Sequence, residues 1–242
     1  MQRILFKVGP FSVYFFGLMT AVGILAGIWL AVREGKRKGL SPEDILDFAL
    51  YAVIAGLVGA RLVFVLFDLE FYLANPVEIL RVNEGGLSIH GAILGGTLVA
   101  LWFCRGRKIS FWRLGDIVAP SLALGEAIAR VGCDIYGAPT SAPWGILIGA
   151  QRYHNIPLYT TVALSAVFAI LWLRRRRARY DGEILLRFLA LYSVARFIIE
   201  YFRVSVSFLG LMTVAQFISL VIIAVALGLM RCRLVRYRPA GR

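Results

Sequence analysis

Seven long apolar runs constrain this chain more than any other feature. They lie near residues 11–32, 45–67, 85–104, 114–132, 155–173, 183–201 and 204–230. Each is long enough to cross the roughly 30 Å of bilayer hydrocarbon as a helix, which takes about 20 residues. A chain of 242 residues that is 60% hydrophobic has room for little besides. Clusters of Lys and Arg close alternate runs: Arg33, Lys36, Arg37 and Lys38 after the first, Arg105, Arg107, Lys108 and Arg113 after the third, Arg174 to Arg177 with Arg179 after the fifth, and Arg231, Arg233, Arg236, Arg238 and Arg242 after the seventh. These clusters hold 18 of the 27 basic residues, and the positive-inside rule puts them in the cytoplasm. The pattern predicts an all-α polytopic membrane protein, a single membrane domain of seven transmembrane helices with the N-terminus outside and the C-terminus cytoplasmic. Two outer loops follow, 68–86 and 133–156. Asn75-Pro76 breaks the first, with a short interfacial helix expected over 76–82, and the Ala-Pro-Thr-Ser-Ala-Pro run keeps the second from being regular helix.

The same distribution excludes other classes. The net charge of +13 does not point to nucleic acid, because the charge sits in short clusters between apolar runs. Cys104, Cys133 and Cys232 are too few and too scattered for a disulfide framework or a metal knot, and no metal or cofactor is expected. The first run lacks a short apolar core followed by a small-residue cleavage site, so it is expected to remain as the first span.

With the topology clusters set aside, nine basic residues remain, and Arg61, Arg130 and Arg196 fall in the outer halves of spans. Arginine keeps its proton even in hydrocarbon, so an intramembrane guanidinium calls for an anion. The three are expected to converge on one polar cavity facing the outer leaflet; snorkelling to the headgroups, or structural ties to carboxylates, is the competing reading. Glu126 and Arg130 are four residues apart, as are Arg196 and Glu200, and Arg203 continues the second set on the same helix face. One carboxylate per cluster leaves a positive surplus, which suits a phosphate-bearing ligand. A transporter or a lipid-binding protein would use the same charges without chemistry, although no inverted repeat or pair of broken helices favours transport.

The two histidines, His90 and His154, both fall toward the outer face. An imidazole there is either a hydrogen-bonded packing residue or a proton acceptor near neutral pH. Gly85, Gly86 and Gly91 around His90 would let another helix or a lipid approach closely, and Gly95-Gly96 reads as helix packing. Cys133, directly after the arginine helix, reads first as a small buried residue and second as a nucleophile.

Several stretches resemble one family, the bacterial prolipoprotein diacylglyceryl transferases: Tyr14-Phe15-Phe16-Gly17-Leu18-Met19, residues 59–67 (GARLVFVLF), residues 85–91 (GGLSIHG), Pro157-Leu158-Tyr159 after His154, and residues 196–203 (RFIIEYFR). The order, spacing and predicted topology agree over nearly the whole chain. The resemblance implies transfer of the diacylglyceryl group of phosphatidylglycerol to the lipobox cysteine of a prolipoprotein signal peptide. It places this in the bacterial cytoplasmic (inner) membrane, with the active site toward the outer leaflet and membrane lipids as surroundings. By the same resemblance Arg130 and Arg196 match the family's essential arginines and would hold the phosphate. His90 would be a base or an orienting group, and Arg61, His154, Tyr159, Glu200 and Arg203 would shape the lipid and peptide sites. The family signature Gly-Arg-x-Gly-Asn-Phe-x-Asn-x-Glu is altered here to Ala129-Arg130-Val131-Gly132-Cys133-Asp134-Ile135-Tyr136-Gly137-Ala138, which makes Cys133, Asp134 and Tyr136 substrate-site candidates. A family paralogue with another acceptor, or none, is the alternative.

Overall fold

The computed structural model describes residues 4–8, 11–82, 85–205, 207–208 and 212–237. Arg3, Arg238 and Arg242 lie outside the described residues, as do 83–84 of the first outer loop and 206 and 209–211 of the last apolar run. Two short strands, β1 (Ile4–Val8) and β2 (Phe11–Tyr14), form an antiparallel pair. After them come α1 (Phe15–Arg37), α2 (Pro42–Phe67), α3 (Leu69–Ala74) and a 3-10 turn (Pro76–Leu80), then α4 (Ile89–Arg107) and α5 (Phe111–Val131). The strands β3 (Tyr136–Pro139), β4 (Ile146–Ile148) and β5 (Gln151–Asn155) make an antiparallel sheet in the order β3-β5-β4. Helix α6 (Ile156–Arg174), a 3-10 turn (Arg175–Arg177), α7 (Glu183–Glu200), the two-residue strands β6 (Ser207–Phe208) and β7 (Met212–Thr213), and α8 (Val214–Arg236) complete the chain.

The protein is mostly helical, and α1, α2, α4, α6 with its 3-10 extension, and α8 are long and apolar enough to cross a membrane. Helices α5 and α7 match the remaining two apolar runs in position but are set apart by charge. Helix α5 carries Arg113, Asp116, Glu126 and Arg130, and α7 carries Glu183, Arg187, Arg196 and Glu200. The short ladders are additions to this helical plan that the apolar pattern does not announce.

Local chemistry moves the helix ends away from the apolar boundaries. Ser41 caps α2, its hydroxyl accepting from the Asp44 amide at 3.0 Å, so the helix begins three residues before the apolar run. Helix α4 begins at Ile89 rather than residue 85 because Gly85 and Gly86 sit at φ +96° and +70°, a region glycine enters without strain. Helix α8 begins at Val214 rather than residue 204, behind a capping box in which Thr213 accepts from the Gln216 amide and Gln216 accepts from the Thr213 amide. The 3-10 turn after Asn75 is the short helix expected in the first outer loop.

The chain folds as two compact units, Met1–Ala31 with Gly115–Arg242, and Val32–Leu114. In the first unit Ala119 and Ala123 of α5 meet Val167 and Leu171 of α6 and Ile184 and Phe188 of α7 in a buried core. Asp116, 2% exposed, reaches from α5 to the start of α7 and accepts from the amides of Gly182, Ile184 and Leu185 at 2.9–3.0 Å. In the second unit α2 and α4 pack along a small-residue seam where Gly91 lies against Gly59 and Gly95 against Ala55, the kind of close backbone approach that drives helix association in lipid.

Candidate functional site

In the first unit, Arg130 and Arg196 each sit in an ion pair at helical spacing, as Arg187 does with Glu183. Arg130 uses Nη2 at 2.8 Å and Nε at 3.3 Å on Oε1 of Glu126. Tyr192 of α7 donates its hydroxyl to that same oxygen at 3.3 Å, tying α7 to α5. One turn further along α7, Arg196 Nη1 lies 2.7 Å from Oε2 of Glu200. Oε1 of that carboxylate accepts from Ser205 at 2.7 Å and from Thr213 at 3.3 Å. Arg203, just past α7, places Nε 3.9 Å from Glu200. Burial lowers the Arg203 guanidinium from its ordinary range first, and repulsion from Arg196 and more weakly Arg130 adds to this, with Glu200 acting in the opposite sense.

Among the described residues of this cluster, three arginines share two carboxylates. All three guanidinium side chains stay about a third exposed, at 31%, 32% and 31% for Arg130, Arg196 and Arg203. The arrangement has a positive surplus and accessible fork-shaped donors, which is what a phosphate group takes.

The segment between α5 and α6 builds a second group in the same unit. Strand β5 presents His154, whose Nδ1 lies 3.0 Å from the Tyr159 hydroxyl on α6. Trp144 donates Nε1 to that hydroxyl at 3.1 Å. The Phe202 ring sits 5.0 Å from the His154 ring and 5.5 Å from the Tyr159 ring, and the Phe202 carbonyl accepts from the Ala138 amide of β3 at 2.9 Å. This fastens the sheet to the end of α7. Tyr136 opens β3 opposite Asn155, next in sequence to His154, and is exposed; Asp134 lies half-buried in the turn before it. Burial pushes the Cys133 thiol up, and Arg130 offsets this only in part. A raised thiol disfavours the thiolate, the form a nucleophile uses.

The second unit holds Arg61 and His90. Arg61 is buried on α2 and donates Nε to the Ile79 carbonyl at 2.9 Å, Nη1 to those of Gly85 and Gly86 at 3.0 and 2.9 Å, and Nη2 to that of Glu78. His90 is exposed in the first turn of α4. Arg130 and Arg196 are thus brought together with Arg203, whereas Arg61 is committed to main-chain carbonyls of its own unit.

Sequence reasoning passed over Tyr192, Trp144, Phe202, Ser205 and Thr213. Tyr192 is one helical turn before Arg196, so helical spacing puts it on the arginine face. Trp144 stands in a Pro-rich stretch with no periodicity to place it.

The family model described as "Prolipoprotein diacylglyceryl transferase" matches residues 3–232. A protein named phosphatidylglycerol--prolipoprotein diacylglyceryl transferase from Geobacillus kaustophilus (strain HTA426) is 38% identical over 96% of this chain and 93% of its own length. Proteins of the same name from Thermosynechococcus vestitus (strain NIES-2133 / IAM M-273 / BP-1) and Bacillus cytotoxicus (strain DSM 22905 / CIP 110041 / 391-98 / NVH 391-98) are 37% and 33% identical, over 92% and 94% of this chain and 88% and 90% of their own lengths. With its apolar helices, its paired arginines and a match of this extent, the chain belongs to the prolipoprotein diacylglyceryl transferase family.

Proposed function

We propose that the chain is a phosphatidylglycerol:prolipoprotein diacylglyceryl transferase. It joins the diacylglyceryl group of phosphatidylglycerol to the lipobox cysteine thiol of a prolipoprotein signal peptide. The observation that carries the reading is the cluster in which, among the described residues, Arg130, Arg196 and Arg203 share Glu126 and Glu200. A free thiol has a pKa of about 8.5, so the acceptor cysteine must give up its proton before its sulfur attacks the glyceryl carbon. The bond from that carbon to the phosphate oxygen then breaks, its electrons stay on the phosphate, and glycerol phosphate leaves. Arg130 and Arg196 hold the phosphate and stabilise the charge that grows on it, with Arg203 adding to the field. His90 takes the thiol proton. His154 and Tyr159, with Tyr136 and Asp134, shape the surroundings of the acceptor peptide, and Cys133 packs beside Arg130.

The same reading gives seven spans as a single membrane domain, an outer N-terminus and a cytoplasmic C-terminus. The site opens to the outer leaflet of the inner membrane, where the lipobox emerges.

The test is complementation. Cells depleted of their own transferase regain lipoprotein lipidation when they express this chain, and Arg130→Ala or Arg196→Ala abolishes the rescue. A well-expressed wild type that fails to rescue overturns the reading. Binding of phosphatidylglycerol vesicles with no thioether formed on a lipobox peptide makes the chain a lipid-binding relative instead.

A further inference from the structure

Arg61 is a charge that the phosphate chemistry leaves unused. Four of its five N–H donors go to main-chain carbonyls, drawn from two stretches, Glu78–Ile79 and Gly85–Gly86. The rings of Phe64 and Tyr72 stand 5.8 and 5.4 Å from the guanidinium carbon. A Cβ on Gly86 would run into both the guanidinium and the Phe64 ring, so glycine is needed for the carbonyls to come this close. The neighbours of Arg61 on α2 continue the grip. The Ala60 carbonyl accepts from the Ser88 amide at 3.0 Å, and Gly91 lies against Gly59 and Ala60. Ser88 is the N-cap of α4, so the residues on either side of His90 are anchored to the same turn of α2.

We propose that Arg61 is a positioning residue that fixes the Gly85–Gly86 turn and, through it, the place of His90 at the start of α4. This rests on the proton-accepting role given to His90 above. The guanidinium plane matters here more than its charge. Lysine carries the charge on one nitrogen and cannot span carbonyls from two stretches, whereas an arginine acting on phosphate as a simple charge is partly replaced by lysine.

The full-length protein in nanodiscs containing phosphatidylglycerol is assayed with a lipobox peptide, and hydrogen exchange is followed over residues 85–91 in the same samples. Arg61→Lys and Arg61→Gln each lower kcat by roughly 10- to 100-fold, the scale of a misplaced catalytic group. KM for phosphatidylglycerol stays within about twofold, since uniform lipid binding is untouched. Exchange over 85–91 speeds up while exchange around Arg130 is unchanged. Gly86→Ala displaces the guanidinium without removing it and gives the same signature, which decides the matter if the Arg61 variants fail to assemble. Near-wild-type turnover by Arg61→Lys, or a raised KM with kcat preserved, overturns the proposal and makes Arg61 a charge ligand for the lipid. Unchanged exchange over 85–91 overturns it as well. The exchange measurement needs no catalysis, so a wild type without transferase activity defeats the function proposed above while exchange still decides whether Arg61 holds the turn.

Discussion

Arg196 and Glu200 form a 2.7 Å ion pair one turn apart on α7, with the guanidinium a third exposed and the carboxylate 3% exposed. The buried partner carries the structural burden. Glu200 also accepts the hydroxyls of Ser205 and Thr213, and Thr213 is the N-cap of α8. One carboxylate therefore fixes an arginine and joins the end of α7 to the start of α8. Glu200→Ala removes all of these bonds, each hydrogen bond to a charged group counting about 1.5–3 kcal/mol. Glu200→Gln keeps one acceptor oxygen but loses the charge and turns an NH2 donor toward the donors that the other oxygen served. Thermal unfolding in detergent is expected to rank wild type above Glu200→Gln and Glu200→Ala lowest, with lipidation falling in the same order. Equal midpoints for Glu200→Ala and wild type would rule out the tie.

Asp116 acts as a cap supplied from another helix. An α-helix leaves its first amides without intrahelical partners. At the start of α7 three of these main-chain donors, from Gly182, Ile184 and Leu185, are met by the buried Asp116 carboxylate on α5. Asp116→Ala leaves them facing a void, at about 1–3 kcal/mol for each buried group left unsatisfied. Asp116→Asn retains one oxygen, and Oδ1 alone serves two of the three, so its loss is smaller. The difference is read from unfolding midpoints in detergent. Catalytic constants of the folded fraction should change little, because Asp116 touches none of the arginines proposed to hold phosphate.

The helices were legible because hydrophobic burial in lipid requires long apolar runs, and the spacing of four that pairs Glu126 with Arg130 and Arg196 with Glu200 is a property of any helix. Their ends were less legible, since φ at Gly85 and Gly86 and the Thr213 capping box act over two or three residues that hydropathy averages away. The sheet between α5 and α6 was not legible at all. Its strands are three to five residues long with no apolar alternation, and they owe their pairing to tertiary anchors such as the Phe202 carbonyl. Arg61 shows the same limit from the side of the site. Its residue type and depth match those of Arg130, and only the fold reveals that its partners are carbonyls seventeen to twenty-five residues downstream.

Cys133 gives a prediction with a definite pH sign. Burial raises its thiol above the ordinary range and Arg130 restores only part of the shift. The thiolate fraction at neutral pH is therefore below that of an exposed cysteine, and it grows only as pH rises through the elevated value. Cys232 is exposed and serves as the internal comparison. Alkylation by iodoacetamide, followed residue by residue by mass spectrometry, should be slower at Cys133 than at Cys232 and should accelerate at higher pH. Cys133→Ala should retain transferase activity. Faster labelling of Cys133 at neutral pH, or loss of activity in a folded Cys133→Ala protein, would make it a nucleophile after all.

Tyr159 links Trp144 to His154 through its hydroxyl. Indole Nε1–H only donates, so the tyrosine oxygen accepts from Trp144 at 3.1 Å. With the tyrosine proton given to His154 Nδ1 at 3.0 Å, the arrangement expected here, the neutral imidazole carries its proton on Nε2. The chain has two histidines, so 15N spectra of the histidine-labelled protein contain only the rings of His90 and His154. At alkaline pH the His154 signals should report the Nε2–H tautomer, and Tyr159→Phe should shift those signals while leaving those of His90 in place. The same variant removes the Trp144 acceptor, so quenching of tryptophan emission by acrylamide should increase, with a stability loss of about 1 kcal/mol per hydrogen bond removed. An Nδ1–H tautomer in the wild type would reverse the donor and make His154, rather than Tyr159, the source of the shared proton.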